Sequence, residues 1–288
     1  MTVLQAAIAG ALAGGLFALM ALGLSLTWGM LRVINLAHFG LILVAGYLTF
    51  ELATNVGIDP LLSIVITAPL LFVVGAGLQF AYDRFALTEF NSLLVSFGLL
   101  IIVIQLVSNV WSADFQRMTA AVNPYATHSL RLGPFAFPTP TLLAFIAALV
   151  LVGGAHLWLQ WTYPGRALRA FAQDRAIASA FGIDHVRLGV LLGGVAGATA
   201  AVAGMLFAVG GSLTPSTPFE WFGIVFAVVI LGGIGNAVGT LAAGVIVGAM
   251  SGVVSVVWSP STAPLVIFSV IIVALLVRPR GLFVRERT

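Results

Sequence analysis

The sequence contains no cysteine and no lysine, and only 7% of its 288 residues carry charge. Without cysteine there is no disulfide framework, thiol nucleophile, iron–sulfur cluster or zinc–thiolate site. Without lysine there is no GxxxxGK[ST] loop, whose lysine must reach the β/γ-phosphates, so ATP is not bound in that way. The four histidines, His38, His128, His156 and His185, show no HExxH or comparable spacing, and no carboxylate pair is placed for acid–base work. No serine comes with a recognisable base and oxyanion site. An intramembrane enzyme is therefore disfavoured, and the chain is expected to use neither a metal nor a cofactor.

What is present is apolar, with 61% of residues hydrophobic. A soluble domain keeps about a quarter of its residues charged, so this composition belongs to a membrane. Crossing a ~30 Å hydrocarbon core takes ~20 mostly apolar residues. Runs free of arginine and carboxylates suggest spans at 5–29, 37–54, 60–81, 92–110, 140–161, 188–210, 221–234, 237–257 and 262–277. The expected fold is an all-α polytopic transmembrane helical bundle, 1–288 forming one domain of nine spans within a range of eight to ten. The first run lacks a basic n-region and is too long for a signal peptide, so it reads as a retained span. "LGGIGNAVG" at 231–239 reads either as a turn between two spans or as a break within one irregular passage.

All twelve basic residues are arginine, and cytoplasmic loops carry the excess of positive charge. Placing 163–187 and the tail "RPRGLFVRERT" inside puts ten arginines in the cytoplasm and leaves Arg117 and Arg131 outside. The N-terminus is then outside and the C-terminus cytoplasmic. Because the arginines lie at membrane edges, where orientation explains them, nucleic acid is not an expected partner, whereas membrane lipid is. The outer loop 111–139 reads as a short strand pair or an interfacial helix, serving either as a cap or as a contact for an outside partner.

Glu51, Asp59, Asp83, Glu89, Asp114, Asp174, Asp184 and Glu220 all fall at span ends or in loops. Carriers driven by protons or sodium place carboxylates near the midplane, so that deficit points to energy supplied by another subunit. His156, alone inside a span, reads as a packed neutral residue bonded to a neighbouring helix.

The most charged passage, "YPGRALRAFAQDRAIASAFGIDHVRLG" at 163–189, holds four arginines and two aspartates. Pro164 and Gly165 open it, helix formers follow, and Gly182 stands where a helix would stop. Asp174 is placed to cap a second piece starting at Arg175. On a helical period Arg166, Arg169 and Gln173 share one face, while Leu168, Phe171 and Ala172 lie toward another. The expected object is a short amphipathic helix pair that either rests in the interface or projects a knob for a partner protein.

The 32 glycines fit helices brought close without a hydrophobic push, with Gly235/Gly239 and Gly244/Gly248 as small-xxx-small pairs. Gly232, Gly233 and Gly235 would also permit unwound backbone able to hold a polar solute. In "INLAHFG", Asn35 and His38 sit three apart, on one helical face if the stretch is helical, where the first two spans meet. They read as a structural tie between helix ends or as part of a substrate pathway, with the structural role favoured.

"GLSLTWGMLRVINLAHFGLILVAGYL" at 23–48 resembles the permease subunits of branched-chain amino acid ABC importers. The 163–188 passage, "FAVVILGGIGNAVGTLAAGVIVG" and "LLVRPRGLF" look like that family's later landmarks, in the same order. The match departs at Phe39 and Gly40, where the family more often has glycine followed by a polar residue. The resemblance implies an inner-membrane permease that pairs with a second, different permease chain, two cytoplasmic ATP-binding subunits and a periplasmic solute-binding protein. It places an ATPase-coupling helix at 165–182, carried by Arg166, Arg169, Phe171, Ala172, Asp174, Ile177, Phe181 and Gly182. The expected function is import of branched-chain or similar small solutes by alternating access; the rival reading is a self-sufficient channel or secondary carrier.

Overall fold

In the computed structural model, which describes residues 2–132 and 135–277, apolar runs fold into helices wherever caps and glycines allow. The tail landmark "RPRGLF" and the four tail arginines lie outside the described residues. α1 (Val3–Leu31) is capped by Thr2, whose hydroxyl accepts from the Gln5 N–H, and ends where Arg32 turns left-handed at φ 56°. A short linker leads to α2 (Ala37–Glu51), which runs into one π-helical turn at Leu52–Val56 and stops at Gly57, φ 78°. α3 (Ile64–Arg84) and α4 (Glu89–Trp111) follow, the latter capped by Thr88.

The long connection after α4 contains the antiparallel pair β1 (Ser129–Leu132) and β2 (Phe135–Pro138), so the strand-pair reading of this loop holds. α5 (Thr139–Trp161) descends to α6 (Tyr163–Gln173) and α7 (Arg175–Ala180). α8 (His185–Gly210), α9 (Thr217–Gly232), α10 (Ala237–Val257) and α11 (Ala263–Val277) complete the chain. Among the described residues, seven helices are long and apolar enough to cross a membrane; α9 and the segment around α11 are apolar but shorter. The boundaries fall within a few residues of the nine apolar runs, because in lipid a helix must satisfy its own backbone and apolar length sets where it can.

The connections gather at two opposite ends. At one end, called here the hairpin end, the Trp28 indole donates to Glu89 at 2.6 Å, and Gly29 of α1 abuts Gly235 of the α9–α10 turn. At the other, the loop end, the Trp111 indole donates to Glu51 at 2.9 Å, and the Tyr125 hydroxyl donates to Asp59 at 2.9 Å. Burial and the Asp59 contact together raise the Tyr125 hydroxyl above its ordinary pKa.

Two seams of small residues hold the bundle. α1 and α10 run antiparallel with Gly14 against Gly244, Gly10 against Gly248 and Ala6 against Gly252. A Cβ at Gly14 would meet the Gly244 carbonyl, so only glycine permits this approach. On the second seam Gly75 of α3 lies against Gly193 and Gly197 of α8, whose other side meets α2 through Gly204 and Gly46. α8 is thus the central post of the bundle, its packed side lined by alanine and glycine.

The stretch 231–239 is a turn between two helices, not a break within one. Gly233 and Gly235 adopt φ +87° and +82°, and Asn236 caps α10 by accepting from the Gly239 N–H at 3.0 Å. His156 differs from the sequence reading in its partner. It accepts from the Gln160 side-chain amide at 2.9 Å, one turn along its own helix rather than across to a neighbour.

Candidate functional site

The hairpin end carries the most strongly amphipathic element. The Thr162 hydroxyl caps α6 by accepting from the Gly165 N–H at 3.2 Å, with Pro164 placed where no N–H is needed. Asp174 breaks the helix in extended conformation and caps α7, accepting from the Ile177 N–H at 3.0 Å. Gly182, at φ +77°, closes the pair. Leu168, Phe171 and Ala178 are buried against the bundle; Arg166, Arg169, Gln173 and Asp174 are exposed, and Ala172 is half-buried. Ile177 and Phe181 are apolar yet 58% and 84% exposed, so the pair presents a greasy tip outward.

Arg175 joins this pair to the bundle. Its guanidinium donates to the Leu31 carbonyl, one of the unpaired acceptors at the end of α1, and lies 5.0 Å from the centre of the Phe171 ring. Phe171 stacks on His185, the first residue of α8, at 5.6 Å with the rings 2° from parallel. Arg175 and His185 also line a cavity of about 350 Å³ with Arg32, Tyr82, Asp83 and Glu89. Asp83 Oδ1 accepts from the Gln79 side-chain amide at 3.2 Å, whereas its buried Oδ2 has no hydrogen-bond partner. The hairpin α6–α7 is therefore in direct contact with the ends of α1 and α8.

The α1–α2 corner, holding Asn35 and His38, is clamped. Asn35 Oδ1 accepts from the Tyr82 hydroxyl at 3.2 Å, and a ring nitrogen of the buried His38 lies 3.1 Å from the Met20 carbonyl oxygen. α4 supplies two serines to the same corner. Ser92 accepts from the Ile34 N–H at 3.2 Å; Ser96 accepts from the Leu36 N–H at 2.9 Å and donates to the Ile34 carbonyl at 3.1 Å. The Gly232–Gly235 turn packs at the same end, where the Gly235 N–H donates to the Ser25 hydroxyl at 3.1 Å and Gly232 lies against the backbone of Gly239.

The structure brings the residues of 166–182 expected to couple to a partner into one hairpin, ties Asn35 to Tyr82 of α3, and packs His38 and the glycine turn against α1. Sequence reading missed Arg175 as the link, along with Tyr82, Ser92 and Ser96. Their signal was present: Ser92/Ser96 and Gln79/Asp83 are polar pairs four residues apart in otherwise apolar helices, the spacing that puts both on one face.

The full-length comparison is consistent. Residues 6–275 match the family model described as branched-chain amino acid transport system, permease component. The chain is 25% identical over 297 residues to the high-affinity branched-chain amino acid transport system permease protein LivH of Salmonella typhimurium, covering 98% of this chain and 96% of the relative. It is 25% identical over 298 residues to BraD of Pseudomonas aeruginosa, with the same coverage. It is 28% identical over 242 residues to a probable LivH of Methanocaldococcus jannaschii, covering 81% and 75% of the two chains. No solved structure gives a significant match. With seven apolar helices of spanning length among the described residues and a match to LivH and BraD over 98% of its length, this chain is a multi-pass inner-membrane protein of the branched-chain amino acid ABC transport permease family.

Proposed function

We propose that this chain is one of two membrane-spanning subunits of an ATP-driven importer and moves branched-chain or similar apolar amino acids by alternating access. The observation that carries the reading is the α6–α7 hairpin. It buries one face in the bundle, grips the ends of α1 and α8 through Arg175 and Phe171, and offers Ile177 and Phe181 to a partner. Exposed apolar side chains on a rigid, non-spanning element fit the cleft of a cytoplasmic ATPase. Nucleotide-driven closure of the ATPases would then shift α1 against α8 as rigid bodies.

In this reading 1–288 is a single permease domain whose nine apolar helices all cross. The N-terminus lies outside, and the hairpin end faces the cytoplasm together with Arg32 and Arg84. The partners are a second permease chain, two ATP-binding subunits and a periplasmic solute-binding protein that delivers at the loop end. Asn35, His38, Gly232, Gly233 and Gly235 serve as the joint around which the path opens.

The test replaces the exposed tip, whose loss leaves the buried face intact. The double variant Ile177→Asp, Phe181→Asp should insert at wild-type levels, fail to retain the ATP-binding subunits on purification and lose leucine uptake. Wild-type uptake by this variant would overturn the coupling role.

A further inference from the structure

The loop end holds a second cavity, of about 450 Å³, half-open between α1, α5 and α8 and bordered by Arg117, Ala126 and Pro138. That volume lies within the ~300–1,000 Å³ common for small-molecule sites. Its wall is apolar: Leu16 and Phe17 from α1, Ala144 from α5, and Leu206 and Phe207 from α8. Phe207 is held in place by an edge-to-face contact with Trp221 at 4.8 Å.

The polar features sit at the rim and carry both signs. Arg117 lines the cavity, and among the described residues it has no ion-pair or hydrogen-bond partner. Its position is set by rigid backbone, because the neighbouring Gln116 N–H donates to the Leu213 carbonyl at 2.9 Å and the Leu213 N–H returns a bond to Gln116 at 2.8 Å. Thr141, in the first turn of α5, also lines the rim, adding the partial positive charge of a helix N-terminus. Gly210 and Gly211, where α8 ends, lie at the rim as well and bring the partial negative charge of a carbonyl end.

We propose that this cavity binds an apolar α-amino acid in its zwitterionic form. The carboxylate pairs with Arg117, whose fork of donors suits it; the ammonium meets the carbonyl end of α8; the side chain fills the wall of Leu16, Phe17 and Phe207. A neutral solute would leave Arg117 unused, and a larger anion would face the α8 carbonyls. The assignment rests on the import reading for its meaning, as the first stop of a solute handed over at the loop end, but its chemistry comes from the cavity.

Because the chain has no cysteine, Thr141→Cys gives it a single thiol inside the cavity. The complete assembly in liposomes is treated with a maleimide, and labelling of this chain is followed by mass with leucine, with leucinamide, which lacks the carboxylate, and with 4-methylpentanoate, which lacks the ammonium. Leucine at about ten times its dissociation constant should slow labelling about tenfold, the two analogues far less. Arg117→Gln in the same background should remove the protection. Ser251→Cys, in a groove between α1 and α10, should label equally with and without leucine, which separates local occlusion from a global change.

Unprotected labelling in an assembly that still takes up leucine overturns the site and leaves the import reading standing. Protection without uptake supports the site and counts against that reading. Labelling that is slow in liposomes, fast in detergent and indifferent to leucine means phospholipid fills the cavity, and overturns the proposal.

Discussion

α4 and α8 are both long, apolar helices, yet 17% of the most apolar stretch of α4 is buried within the protein and 67% of that of α8. α8 brings glycine to its neighbours at Gly193, Gly194, Gly197 and Gly204, each so close that a Cβ would strike a facing helix. α4 has one glycine, Gly98, with open space where its Cβ would stand, and turns Phe97, Ile101, Ile102 and Leu106 outward. Lipid tails are as apolar as leucine, so hydropathy places both helices in the membrane without saying which one touches protein. Small residues mark the protein side, since backbone proximity rather than burial from water drives association there.

The comparison can be broken most severely at α8. Gly197→Leu would push a side chain into the Leu71 carbonyl of α3, a backbone that cannot yield. Most of the folded protein should be lost, well beyond the ~1–3 kcal/mol of ordinary overpacking, as measured by recovery of monodisperse protein in detergent. Normal recovery would mean the α3–α8 seam is not what holds the bundle.

α4 touches the protein along one narrow face that holds Ser92, Ser96, Leu100 and Val107, so its vulnerability should be confined to that face. Ser96→Ala strips the buried Leu36 N–H of its acceptor and should cost about 1–3 kcal/mol, seen as a lower unfolding temperature with insertion unchanged. On the opposite side, Leu94→Phe at a half-exposed position should change stability by less than about 0.5 kcal/mol. A large loss there would show that α4 faces another subunit rather than lipid.

The same distinction separates what was legible in the sequence from what was not. The helix pair at 163–182 could be read residue by residue, because Pro164, Asp174 and Gly182 act on their own few neighbours. The strand pair, one of the two readings of 111–139, is local in the same sense. Arg175 could not be picked out from the other arginines, since its importance lies in the Leu31 carbonyl, 144 positions away. Arg117 likewise looked like a minority charge on the wrong side of the charge balance until folding set it over a cavity formed by α1, α5 and α8. His156, expected to reach across to another helix, found Gln160 within its own.

By itself the sequence determined that this chain lives in a bilayer, roughly where its apolar helices run, and which charged passage is too short and polar to span it. Each follows from apolar run length and from caps and turns that act over a handful of residues. Only the tertiary structure decided that α8 is the central post, that Gly14 answers Gly244, and that a lone guanidinium overlooks an apolar cavity. Those pairings depend on which small surfaces meet across the chain, and in a solvent as greasy as the side chains themselves hydropathy carries no record of that choice.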